Sequence, residues 1–130
     1  MRPKATCLVL LLALLLSAGC ATTGRPKLIP QGAGEVGTAS FYSHRLHGRK
    51  SASGKIYDEE QLTAAHRTLP FGTRVRVTNL NNDRCVVVTI IDRGPFRRRR
   101  VIDLSRRAAE LLGFVASGTT RVLLEVIPDR

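Results

Sequence analysis

Between Thr73 and Asp92 the chain reads TRVRVTNLNNDRCVVVTIID, and no other stretch constrains the fold so tightly. Val75 and Val77 alternate with Arg74, Arg76 and Thr78. That period of two puts apolar side chains on one face of a strand and polar ones on the other. Asn81-Asn82-Asp83 is turn chemistry, because Asn and Asp side chains bond their own main chain. Arg84 to Ile91 then fills with β-branched residues, and the two runs read as a hairpin. Val36 to Tyr42 alternates loosely, and Thr120 to Ile127 (TRVLLEVI) reads as another strand. One helix is expected. Ser105 is its N-cap, Ala108, Ala109, Leu111 and Leu112 share a face, and Gly113 stops it. Several short strands with one short helix predict a small β-barrel, since closure removes unpaired sheet edges.

The N-terminus reads as an export signal, residues 1–19. Arg2 and Lys4 form a positive n-region and Leu8 to Leu16 an apolar h-region, too short to span a bilayer as a stable helix. The run ends at Ser17-Ala18-Gly19-Cys20. This tetrapeptide resembles a bacterial lipoprotein signal, in which Cys20 would be acylated and become the new N-terminus. The alternative is an ordinary secretory signal cleaved nearby. Acylation would hold the protein at a membrane surface. Ala21 after the Cys, in place of Asp, points to the periplasmic face of the outer membrane. Residues 20–34 are the acylated Cys and a Gly-, Pro- and Thr-containing tether. The folded domain is expected over 35–128, and at that size its core is modest.

Three cysteines are present, Cys7, Cys20 and Cys85. Cys7 would leave with the signal and Cys20 would be spent on an acyl chain. Cys85 is then expected alone, as a buried or half-buried strand thiol. The formal net charge is +11, and removing Arg2 and Lys4 leaves +9. Such a charge implies an acidic partner. Export argues against nucleic acid and for wall carboxylates and anionic head groups. Arg97 to Arg100, with Arg93, Arg106 and Arg107, form a basic stripe suited to that role. His44, His47 and His66 raise the question of metal. His44 and His47 are flanked by Arg45, Arg49 and Lys50, no carboxylate sits beside them at ligand spacing, and no mature Cys pair exists. No metal site is expected.

GTASFYS, LHGRKSASG, YDEEQLTAAHRTLPFGTRVRVTNL, VVVTIIDRGPF and VIDLSRRAAELLG occur in that order and close together. Together they resemble the rare lipoprotein A family. The resemblance implies a mainly β fold, a six-stranded double-psi β-barrel with one or two short helices, similar to barwin, expansins and family-45 endoglucanases. It implies peptidoglycan glycan strands as partner, no cofactor, and a monomer. Many members carry a further C-terminal glycan-binding module, and none is expected here.

The resemblance also assigns roles. Asp92, in DRGPF, is the catalytic carboxylate, and His66, in TAAHRTLP, accompanies it. Tyr42, His47, Ser53, Lys55 and Arg93 are the substrate-binding set. Two positions depart from the pattern. Lys55 stands where the family has Glu, and Phe41-Tyr42-Ser43 stands where it has Trp-Tyr-Gly. Lys55 is suited to contact lactyl or peptide carboxylates of the wall. Asp58, Glu59 and Glu60 are nearby carboxylates. Asp103 is expected to brace the helix start.

The implied reaction is lytic transglycosylation. A carboxyl donates a proton to the glycosidic oxygen and then takes one from the muramic acid 6-hydroxyl, which closes a 1,6-anhydro ring. One carboxylate serves both steps, whereas an ordinary glycosidase uses two. Such an acid needs a desolvated setting, which Ile90 and Ile91 favour and an approaching Arg93 guanidinium would oppose. His66 would bond substrate or orient Asp92. The second functional class is a barrel that grips glycan without cutting it, which Lys55 favours.

Overall fold

A computed structural model describes residues 34–129 of the chain. The expected signal, Cys20 and most of the tether lie outside the described residues. The elements run β1 (Gly34–Phe41), a 3-10 turn (His44–Leu46), β2 (Thr63–Ala65), β3 (Arg74–Asn79), β4 (Cys85–Asp92), β5 (Arg100–Leu104), α1 (Arg106–Leu112) and β6 (Thr120–Ile127). The six strands close into a barrel in the order β1-β5-β2-β4-β3-β6. β1 runs parallel to β5, and β2 parallel to β4. The remaining neighbours are antiparallel.

The predicted hairpin is β3 and β4. Val75 faces Val88 and Val77 faces Val86, all four buried, while Arg74 points out. β6 covers the other edge of β3, pairing Val77 with Leu124. The core gathers these residues with Ala39, Ala64, Ile90, Ile102, Leu104, Val122 and one face of α1. The helix follows the expected grammar. Ser105 Oγ accepts from Ala108 N, and Gly113 at φ 75 ends it. Leu111, placed on the apolar face by the sequence, is 41% exposed, and Phe114 fills that side of the core instead.

Two strands are absent from the sequence reading, β2 and β5. β2 has three residues, too few to show a period. β5 begins at the last of the four arginines and is buried on both faces in part, so it does not alternate. Gly37 is required where β1 crosses β5, because a Cβ there would collide with the Val101 side chain.

Asn79 ties the hairpin to the helix. It is 2% exposed, donates from Nδ2 to Leu112 O (2.9 Å), and accepts at Oδ1 from Asn81 N (3.0 Å) and Thr120 Oγ1 (2.8 Å). Cys85 is half-buried at the start of β4 and is disulfide-bonded in the full-length chain, which corrects the expectation of a lone thiol for that form. The expectation concerned a processed chain, from which Cys7 has left and in which Cys20 is acylated, and both lie outside the described residues.

Candidate active site

Asp92 is the last residue of β4, half-buried where the strand leaves the barrel. Three donors converge on its carboxylate. Oδ1 accepts from Ala52 N (2.9 Å) and from its neighbour Arg93 N (2.9 Å). Oδ2 accepts from the Tyr42 hydroxyl (2.6 Å). Distances this short mark strong, charge-assisted bonds. With two donors on Oδ1 and one on Oδ2, the open acceptor position lies on Oδ2.

The Ala52 donor is delivered by a small hairpin. Gly48 N bonds Tyr57 O (2.8 Å), Tyr57 N bonds Arg49 O (2.7 Å), and Ser51 N bonds Lys55 O (2.8 Å). Its tip, residues 51–55, leans on the end of β4, where Ser53 N bonds Ile91 O (3.1 Å). Ser53 Oγ meets Ser51 Oγ at 3.0 Å and Lys55 N at 3.4 Å, so it shapes the tip. Lys55 itself is exposed, and its side chain makes no ion pair among the described residues.

Tyr42 connects this site to the rest of the fold. Its ring meets Tyr57 edge to face at 4.7 Å, and the Tyr57 hydroxyl accepts from Arg106 N (3.1 Å), the first residue of α1. Burial, reinforced by the bond to Asp92 and by the charges of Asp92 and Asp103, pushes the Tyr42 phenol far above its ordinary value. Tyr42 therefore stays a hydrogen-bond donor to Asp92 throughout the physiological range.

Asp103 corrects an expectation. It does not brace the helix, a task performed by the Ser105 hydroxyl. It lies on β5, opposite Ala65 of β2, and Ala65 in turn faces Asp92 of β4. The register thus sets two carboxylates on either side of one alanine. Asp103 Oδ1 accepts a bond from Ser40 Oγ. Nothing local in VIDLS signals this, because the neighbourhood exists only once β5 and β2 pair.

A profile of the family described as lytic transglycolase matches residues 34–124. The chain belongs to the lytic transglycolase family. Among its relatives, the endolytic peptidoglycan transglycosylase RlpA of Campylobacter jejuni is 49% identical over 102 residues, 78% of this chain and 37% of that protein. The protein of that name from Pasteurella multocida is 55% identical over 91 residues, 70% of this chain and 31% of that protein. The chain thus spans well under half the length of these curated relatives. Among solved structures, the Streptomyces papain inhibitor superposes with a TM-score of 0.61 at 25% identity, over 77% of this chain and 99% of that one. An expansin of Clavibacter michiganensis gives 0.61 at 20% identity, over 75% and 52%. The fold is a double-psi β-barrel.

Within this lytic transglycolase barrel, the other expected site residues occupy distinct places. The His66 ring is buried and makes no hydrogen bond to Asp92. Its Nδ1 accepts from Thr68 N and Leu69 N (both 3.1 Å), which puts the ring proton on Nε2, directed at Glu35 Oε2 (3.0 Å). The link to Asp92 runs through the main chain, His66 N to Asp92 O (3.2 Å). Arg93 turns away from the acid. Its guanidinium donates to Leu69 O (2.8 Å) and His66 O (3.3 Å) and lies 4.0 Å from the Phe71 ring centroid, while the Asp92 carboxylate receives only its main-chain N–H.

His47 lies in a separate exposed cluster. Its Nδ1 accepts from Glu59 N (3.1 Å), and its ring stacks on His44, whose Nδ1 pairs with Glu59 Oε2 (2.8 Å). The sequence reading put no carboxylate beside these histidines, and the fold supplies Glu59. Among the described residues no group of three or more His, Cys, Asp and Glu is arranged to hold a metal. Asp58 Oδ1 accepts from Glu60 N (2.9 Å) in its own turn and lies 4.0 Å from His47 Nδ1.

Proposed function

We propose that this chain is an endolytic peptidoglycan transglycosylase, cleaving between N-acetylmuramic acid and N-acetylglucosamine to leave 1,6-anhydro products. The observation that carries the reading is the Asp92 carboxylate, fixed by three donors at the rim of a barrel about half identical to proteins bearing that name. Asp92 Oδ2 has the open acceptor position and so carries the proton to the glycosidic oxygen. The bond to the leaving sugar then breaks. The same oxygen takes the proton of the muramic 6-hydroxyl as that oxygen attacks C1. Tyr42 holds Oδ2 in place through both transfers. His66 acts in support, fixing the main chain that carries Asp92. Ser53 and Lys55, at the hairpin tip, and the outward arginines line the approach of the glycan. Cys20 is the acylation site, and the protein works as a lipid-anchored monomer at the periplasmic face of the outer membrane.

The test is digestion of purified sacculi, with mass spectrometry for 1,6-anhydro-muropeptides. Wild type should release them and Asp92→Asn should not. Product persisting in Asp92→Asn would remove Asp92 from the mechanism. A second reading, a non-cutting glycan binder, is favoured by one observation, Lys55 beside the Asp92 loop in place of the family's Glu. A Clavibacter michiganensis expansin that shares this fold is described in complex with cellohexaose. Sacculus binding without product, together with product from Lys55→Glu, would establish that second reading.

A further inference from the structure

Phe96 is 85% exposed, the most exposed large apolar side chain among the described residues. A single exposed apolar group is ordinary, but the setting of this one is not. Arg67 Nε donates to Pro95 O (2.6 Å) and Arg67 Nη2 to Arg97 O (2.6 Å), the two carbonyls that flank Phe96 in the chain. The same Nη2 reaches Arg100 O (2.7 Å). One guanidinium thus fastens the loop at three points and leaves the ring between them outside. The ring leans back over Gly94. A Cβ at Gly94 would lie 3.6 Å from Phe96 Cε2 and 3.8 Å from Asp103 Oδ2. Gly94 has φ 122, open to glycine alone, and lies two residues past Asp92. The Phe96 ring and the Asp103 carboxylate therefore border the same point, two residues along the chain from Asp92.

We infer that Phe96 is a fixed platform on which one sugar ring of the glycan stacks as the strand passes Asp92. The inference rests on the reading of this site as glycan-binding. The C–H face of a pyranose is apolar and weakly positive, and it matches the negative π face of an aromatic ring. A platform held by Arg67 before the ligand arrives loses little freedom on binding. Arg97, Arg98 and Arg99 follow Phe96 and are exposed. They place cations where the carboxylates of a wall glycan would hang from the stacked strand.

The test reads binding, so it stands apart from catalysis. The full chain is pelleted with purified sacculi as wild type, Phe96→Ala, Phe96→Leu and Phe96→Trp. Ala and Leu should each weaken binding by roughly tenfold, about one lost aromatic contact, while Trp retains it. Thermal midpoints should stay together, because the ring is exposed. The chain contains no Trp, so Phe96→Trp also places a sole indole at the platform. Peptide-free glycan strands should shift its emission and shield it from acrylamide. Equal pelleting by wild type, Ala and Leu would overturn the platform, as would an indole that does not respond to strands that bind the protein. Pelleting that depends on Phe96 but yields no anhydro product overturns the catalytic reading and leaves the platform standing. A wild type that does not pellet overturns both.

Discussion

At the scale of single residues, the Tyr42 hydroxyl on Asp92 Oδ2 is the most exposed point of the proposed chemistry to a small change. Tyr42→Phe removes one oxygen and leaves the Tyr57 contact in place. Release of anhydro-muropeptides should fall roughly ten- to hundredfold, the worth of one hydrogen bond to a charged group, mainly in kcat. A change confined to KM would instead make Tyr42 a substrate contact. The phenol also predicts an alkaline signature. Its folded-state value is raised above the ordinary 10.0, so its contribution to stability is complete below about pH 10 and declines as pH rises further. Tyr57 is raised as well, first by burial, and adds in the same direction. Thermal midpoints between about pH 9 and 12 should therefore fall less steeply in Tyr42→Phe than in wild type. Parallel curves would show that Tyr42 ionises with no penalty.

At the scale of elements, two ties do different work. Asn79 joins β3, β6 and the end of α1 through two buried bonds, with a third, part-buried, to the Asn81 N–H of the turn. Asn79→Ala leaves those partners short of bonds and should cost about 2 to 3 kcal/mol, read as a lower urea midpoint with unchanged slope. Arg67 instead fastens a loop to the barrel without entering the core. Arg67→Ala should leave the global unfolding midpoint near wild type and hasten tryptic nicking at Arg97 to Arg100, since cleavage needs a locally open chain. Mass spectrometry of the fragments locates the cuts. Unchanged nicking would show that the loop is held by other contacts.

Over the whole molecule, charge is the dominant property. A net +11 with exposed Arg97, Arg98 and Arg99 beside the site predicts attraction to an anionic polymer over distances that salt controls. Pelleting on sacculi should weaken steadily from about 0.05 to 0.5 M salt, because the Debye length shrinks over that range. Binding indifferent to salt would remove the arginine stripe from recognition and leave stacking and hydrogen bonding to carry it.

The sequence by itself determined the elements whose causes are local. The Val/Arg alternation specified the β3–β4 hairpin, the Asn-Asn-Asp run its turn, and Ser105 and Gly113 the ends of α1. Ordered motifs named the barrel and marked Asp92. Tertiary structure alone decided what surrounds that acid. β2 is too short, and β5 too evenly buried, to show a period, yet their pairing is what brings Asp103 across Ala65 from Asp92. The directions of Arg93, His66 and Arg67 were likewise set by carbonyls and carboxylates far away in sequence. Periodicity reports which face of a strand is buried. It carries no information about which strand lies alongside, and a pair of carboxylates brought together across β4, β2 and β5 depends on that.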